Sequence, residues 1–324
     1  MISTLSNLRV LVTGANGLVG RALCSQLVAQ GCQVRAAVRD LDCCKSLDGV
    51  EFMLSPNLED RDANWLTLLT DVDVVVHTAA RVHVMRPSPD ETDRFVAINT
   101  DGTARLAAAC AAARVRRFVY LSTIKVNGEA TPNGKAFRAV DPVAPTDPYA
   151  VSKHQAERLL SGFADRRELE VVVIRPPLVY GPGAKGNLEL LERMVRRQLP
   201  LPIGLLDGNR RSLVSLANLV HLIITCIAHP VAANQTFMVS DGDDLSTLRL
   251  TRLIGQACGV PVKTLPVPAS LLNLLARLLG KRDMLRRLTD NLQVDISVTC
   301  KRLDWKPPQS VSQGMQAAFG EPRG

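Results

Sequence analysis

Thr13-Gly14-Ala15-Asn16-Gly17-Leu18-Val19-Gly20 follows a short β-branched run, Arg9 to Thr13, and opens a helical stretch from about Leu18 to Gln30. Strand, glycine-rich turn and helix in that order make the first half of a dinucleotide-binding βαβ unit. Gly14 permits the tight turn, Gly17 lets backbone approach a pyrophosphate, and Gly20 lets the helix pack closely. Asn16, Leu18 and Val19 complete this cofactor-binding loop, where the helix N-terminus offers free N–H groups and the positive end of its dipole.

Working outward, short apolar runs alternate with helical segments, the pattern of βαβ units wound onto a parallel sheet. Strands are predicted at Gln33 to Val38, Val50 to Leu54, Val72 to His77, Phe118 to Ser122 and Val171 to Arg175. Helices are predicted over Thr100 to Ala113 and Tyr149 to Phe163. Val74, Val75 and Val76 run without a polar break, as a strand covered on both faces requires. The fold class is therefore α/β, a Rossmann-type doubly wound parallel sheet. From Pro176 onward prolines and glycines become frequent and the periodicity weakens, which marks expanded connections. We divide the chain into a cofactor-binding domain, residues 1–175, and a smaller substrate lobe, residues 176–324. The two are interleaved, because Arg211 to Leu216 and Gln235 to Val239 look like strands returning to the sheet. Ala269 to Leu288 reads as an amphipathic helix pair packed on the lobe.

Composition narrows the function. With 46% hydrophobic and 22% charged residues the chain is an ordinary globular protein. Met1 to Asn7 shows no basic segment leading into an apolar core, and no run is long enough to span a bilayer, which reads as cytoplasmic. Eight cysteines lie scattered without paired spacing, so they read as reduced, packed thiols and no metal site is expected. A net charge of +8 suits an anionic ligand, yet the basic residues fall in short pairs and only three Tyr and two Trp could stack on bases. Nucleic acid is not an expected partner. Contact of the 269–288 segment with a membrane surface and a homodimer are the partner alternatives left open.

Three further positions carry chemistry. Strand two ends Val38-Arg39-Asp40, where the fold meets the adenosine ribose. Arg39 offers paired donors to a 2′-phosphate, and Asp40 sits one residue late for a ribose hydroxyl, so NADP(H) is favoured with NAD(H) the alternative. Tyr149-Ala150-Val151-Ser152-Lys153 places a phenol and an ammonium four residues apart, on one helix face. An ammonium and the positive ring of an oxidised nicotinamide would depress the phenol's pKa toward neutrality and make it a general acid or base. Ser122 and Thr123 end strand five on the carboxyl edge, where a hydroxyl can bond a substrate oxygen.

These motifs, with His77-Thr78-Ala79-Ala80, Asn99 beside Gly102 and Thr103, Arg175-Pro176-Pro177-Leu178-Val179-Tyr180-Gly181-Pro182-Gly183 and Leu303-Asp304-Trp305-Lys306-Pro307, resemble the extended short-chain dehydrogenase/reductase family in order and spacing. The resemblance covers nearly the whole chain. It implies that Thr123, Tyr149 and Lys153 are catalytic, with Lys153 also holding the nicotinamide ribose. It further implies that Asn57, Leu58, Ala79, Ala80, Asn99, Ser122, Pro176 and Pro177 line the cofactor. Within the family the late motifs resemble the nucleotide-sugar branch, related to UDP-glucose 4-epimerase and to 4-keto reductases that make sugars such as UDP-N-acetylquinovosamine. Asn187 and Arg211 would then bind the UDP diphosphate, and Arg81, His83 and Lys125 would face the sugar.

The expected activity is reduction or oxidation at C4 of a nucleotide-linked sugar. The preferred substrate is UDP-2-acetamido-2,6-dideoxyhexos-4-ulose, in surface polysaccharide (O-antigen) biosynthesis, because Arg39 points to an exchangeable phosphorylated cofactor and Leu178 stands where many epimerases have Asn. The alternative is 4-epimerisation of a UDP-hexose or of a polyprenyl-diphosphate-linked N-acetylhexosamine. A non-catalytic NADP(H)-binding protein is a third reading, disfavoured by the intact Thr123, Tyr149 and Lys153.

Overall fold

The computed structural model describes residues 5–42, 44, 46–82, 90–278, 280 and 282–320. Among the described residues, nine strands run in chain order: β1 (Arg9–Thr13), β2 (Gln33–Val38), β3 (Val50–Leu54), β4 (Val74–His77), β5 (Arg117–Leu121), β6 (Glu170–Arg175), β7 (Leu178–Tyr180), β8 (Leu213–Ser215) and β9 (Gln235–Met238). Helices accompany them. The first five are α1 (Leu18–Ala29), α2 (Leu66–Leu69), α3 (Glu91–Phe95), α4 (Thr103–Ala112) and α5 (Pro148–Asp165). The rest are α6 (Asn187–Arg196), α7 (Leu216–Ala228), α8 (Thr247–Cys258), α9 (Ala269–Leu278), α10 (Arg282–Thr289), α11 (Ser297–Leu303) and α12 (Val311–Phe319).

Seven strands form one parallel sheet in the order β3-β2-β1-β4-β5-β6-β9. Its strand order reverses between β1 and β4, and the carboxyl ends of those strands frame a crevice for a ligand. Alternation within each strand explains the two layers of helices. Val10, Val12, Val74, Val76 and Val119 face one core, shared with Leu23 of α1 and Leu219 and Ile223 of α7. Leu11, Val75, Phe118 and Tyr120 face the other, shared with Leu106 of α4 and Leu160 of α5. Both cores are buried on their own side of the sheet, which is why the strands read as unbroken apolar runs.

Two sequence expectations need correction. The strand at Gln235–Met238 joins the main sheet beside β6, but the one near residue 213 does not: β8 pairs in parallel with β7 to form a separate two-stranded sheet. Three-residue strands carry too little pattern to specify a partner. The helix expected at residue 100 begins earlier, with α3, and passes through a π-helical turn, Val96–Gly102, before α4. Gly102 accounts for the close packing there, since a Cβ on it would lie 2.7 Å from the Leu58 carbonyl oxygen.

The later segment has its own core of Tyr180, Leu188, Leu206, Leu213, Ile254 and Met315. Leu272 and Leu288, from the helix pair α9 and α10, pack against it, while Leu271, Leu274 and Leu278 are exposed. Among the described residues no helix is long and apolar enough to cross a membrane.

Candidate active site

The glycine-rich turn leaves β1 with Gly14 at φ +70°, a left-handed conformation that suits glycine. A Cβ on Gly14 would fall 2.7 Å from the Ala79 backbone nitrogen, so the turn lies directly on the segment that follows β4. At Gly20 a Cβ would meet the Gly14 oxygen at 2.3 Å, which is the close helix packing expected from the sequence. Gly17 takes the N-cap of α1 in an extended conformation without a side-chain cap, so no cap side chain satisfies the first N–H groups of the helix. Glycines at these three contacts form a cradle that fits a dinucleotide pyrophosphate.

Behind the cradle His77 is fully buried, with its Nδ1 2.7 Å from Thr13 Oγ1 and its Nε2 3.0 Å from Thr103 Oγ1. Burial first, and the Lys153 charge second, hold its pKa down to about 3. A neutral imidazole has one donor and one acceptor nitrogen, which matches two hydroxyls and ties β1, β4 and α4 together.

Helix α5 has a well-marked start. Asp147 caps it by accepting from the Ala150 N–H at 2.7 Å, and Pro148 occupies the first turn. Tyr149 and Lys153 follow one turn apart. The Lys153 ammonium is buried and stands 4.0 Å from the centroid of the Tyr120 ring. Burial pushes its pKa down to about 7, against the opposing pull of Glu157. Tyr149, edge-on to Phe95 at 6.1 Å, goes the other way from expectation: burial and the Asp147 carboxylate raise it to about 12. Both effects disfavour the phenolate.

Ser122 and Thr123 follow β5 and are both buried. Their roles diverge. Ser122 Oγ donates to Glu157 Oε1 at 2.5 Å, whereas Thr123 Oγ1 accepts from the Lys125 N–H at 3.3 Å and keeps its proton for another acceptor. Pro176 and Pro177 lie buried beside this turn, with the Pro176 carbonyl accepting from the Ile124 N–H. Ala79 and Ala80 are half-buried at the end of β4.

Several other expected residues make contacts within the protein. Asn99 is buried in the π-helical turn and commits both N–H bonds, to the Arg81 carbonyl and to Ser152 Oγ, each at 3.0 Å, while its oxygen accepts from the Arg81 N–H. It clamps the Arg81 backbone to α5. The Arg81 guanidinium is paired with Glu91 at 2.7 and 3.0 Å, and Lys125 Nζ with Asp147 at 2.5 Å and Glu129 at 3.2 Å. Asn57 is exposed and forms a local turn with the Glu59 N–H, and Leu58 is held at Gly102. Arg39 is exposed at the end of β2 and Asn187 at the start of α6. Arg211, half-exposed, donates to the Asp290 carbonyl at 3.0 Å. His83 lies outside the described residues. Glu157, Arg175 and Asn127 were not anticipated as site residues, although two signals were present: Glu157 continues the Tyr149, Lys153 spacing by one more turn, and Arg175 ends the apolar run Val171 to Ile174.

Comparison with known proteins adds four observations. The profile of the NAD dependent epimerase/dehydratase family matches residues 10–240. A protein described as UDP-glucose 4-epimerase from Vibrio cholerae is 44% identical over 309 residues, covering 95% of this chain and 93% of its own. Among solved structures, UDP-N-acetylglucosamine 4-epimerase from Bacillus cereus superposes with a TM-score of 0.78 at 20% identity, covering 97% and 98% of the two chains. UDP-glucose 4-epimerase from Thermus thermophilus in complex with NAD gives 0.76 at 21% identity, covering 96% and 98%.

Proposed function

Since the chain belongs to the NAD dependent epimerase/dehydratase family, we propose that it interconverts the C4 epimers of a UDP-linked hexose, with NAD retained in the cradle at Gly14, Gly17 and Gly20. The observation that carries this reading is the near full-length, 44% identity to a UDP-glucose 4-epimerase, in a chain whose Thr123, Tyr149 and Lys153 are all present. Bound NAD would supply the hydride acceptor and donor for C4 and a positive ring beside Tyr149.

The protein's own residues then handle the proton. Tyr149 takes the proton of the C4 hydroxyl as the C4–H bond is lost, and returns it once the ketone has turned its other face. Thr123 donates a hydrogen bond to the same oxygen and steadies it in both states. Lys153, near its own pKa, supports the phenolate. We assign Ala79, Ala80, Pro176 and Pro177 to the walls of the cofactor site. Residues 176–324 we take as the main substrate lobe, with Arg211 and Asn187 toward the diphosphate. The enzyme acts in the cytoplasm on this reading.

Net reduction of a UDP-4-keto sugar with NADPH is the second reading. Arg39, exposed at the end of β2, favours it, because its donors would suit a 2′-phosphate. The descriptions of the relatives favour epimerisation and NAD. The experiment offers purified protein UDP-glucose, UDP-galactose and the two UDP-N-acetylhexosamines, and follows the sugars by NMR and nicotinamide by absorbance. Interconversion without net change in absorbance is expected. Failure on every pair, with one NADPH consumed per UDP-2-acetamido-2,6-dideoxy-4-hexulose, would replace the epimerase reading with the reductase.

A further inference from the structure

Beneath the catalytic turn lies a buried charged group with no part in the proton transfer just described. Glu157 and Arg175 face each other, Nε to Oε1 at 3.0 Å and Nη2 to Oε2 at 2.6 Å, with both side chains 7% exposed. A buried ion pair adds little net stability over well-packed apolar residues, so its value lies elsewhere. Each partner reaches one end of the segment after β5. Glu157 Oε1 accepts from Ser122 Oγ at 2.5 Å, and Arg175 Nη1 donates to Asn127 Oδ1 at 3.0 Å. Between these anchors the backbone is fastened to β6 and its extension, Ser122 N–H to the Ile174 carbonyl at 2.8 Å and Ile124 N–H to the Pro176 carbonyl at 2.9 Å. Thr123 stands between the two fastened residues. Of the adjacent hydroxyls, Ser122 donates its hydrogen bond to Glu157, whereas the Thr123 hydroxyl donates to none of the described residues.

We propose that Glu157 is a positioning residue that, through Ser122 and through Arg175 to Asn127, holds the 122–127 turn so that Thr123 aims its hydroxyl at the reacting oxygen. The proposal rests on the assignment of Thr123 as the hydroxyl that bonds that oxygen.

The test is a double-mutant cycle on the full chain with NAD and a UDP-hexose pair. Glu157→Gln is expected to lower kcat on the order of tenfold with KM nearly unchanged, because a small misplacement of a catalytic group is costly. In a Thr123→Ala background most of that loss should vanish, since no hydroxyl remains to be misplaced. Melting curves and NAD titration verify that each variant is folded. Should Glu157→Gln fail to fold, Ser122→Ala breaks the same link while sparing the ion pair, and the same cycle applies. If Thr123→Ala lowers kcat but the losses multiply in full, Glu157 acts independently of Thr123 and the proposal is overturned. If Thr123→Ala leaves kcat intact, the catalytic assignment fails and takes the proposal with it.

Discussion

The floor of the site and its rim manage charge in opposite ways. On the floor, below the ends of β4, β5 and β6, His77, Lys153, Glu157 and Arg175 are buried and their polar atoms meet other side chains or an aromatic face. On the rim, Arg39 and Asn187 are exposed, and the Arg211 guanidinium bonds a backbone carbonyl. The floor shifts pKa values far from their ordinary ranges, to about 3 for His77 and about 7 for Lys153, because burial removes water that would otherwise solvate charge. The difference separates two tasks. On the proposed function, residues on the floor would set the state and direction of groups that react, and those on the rim would grip parts of the ligand that do not.

Replacing a floor residue should therefore act on turnover, and replacing a rim residue on affinity. Tyr149→Phe is the most severe case: loss of the proton carrier should cut kcat by roughly a hundredfold to ten-thousandfold, with NAD affinity unchanged by titration. A variant that kept near wild-type turnover would remove Tyr149 from the chemistry and break the comparison at its centre.

Lys153 sharpens it through stability. Its pKa is about 7 in the folded protein against an ordinary 10.5, so between those values an unfolded chain holds a proton that the folded one has released. The resulting penalty on folding is fully present below about pH 7 and falls steadily as pH rises from there to 10.5, because folding releases a proton and that release costs less as free protons become scarcer. Lys153→Met should abolish turnover and yet raise the melting temperature at about pH 6, with a smaller gain at about pH 9 to 10 as the unfolded ammonium begins to titrate. An equal or lower melting temperature at the acid end would show that burial of the ammonium does not oppose folding.

On the rim, Arg39→Ala should weaken NADPH binding by about tenfold, the value of a charge-assisted contact, and leave NADH binding unchanged. Loss of both affinities equally would mean that Arg39 does not select between the cofactors. The smallest effect is expected at Arg211, whose guanidinium already has a partner in the Asp290 carbonyl. Arg211→Ala should raise the KM for the UDP-sugar a few-fold with kcat little changed. A fall in kcat with unchanged KM would move Arg211 from the rim to the floor.

Much of the fold was legible because it depends on local pattern. Apolar runs of strand length, helical periodicity and glycines at a strand-to-helix turn act over a few residues, and they locate β1 to β6, α1 and α5 within one or two positions. The pair Tyr149 and Lys153 followed from helical spacing alone. Tertiary structure decided what spacing cannot express. Only the packing of the elements shows that Ser122 donates its hydrogen bond to Glu157, that Asn99 is engaged in clamping Arg81 and Ser152, and that Lys125 is paired with Asp147. It also decided that Tyr149 is raised to about 12, since the cost of burial depends on how much water the surrounding elements exclude. Periodicity says which way a side chain points along its own element, but the partner it finds there, and the solvent it loses, come from residues far away in the chain.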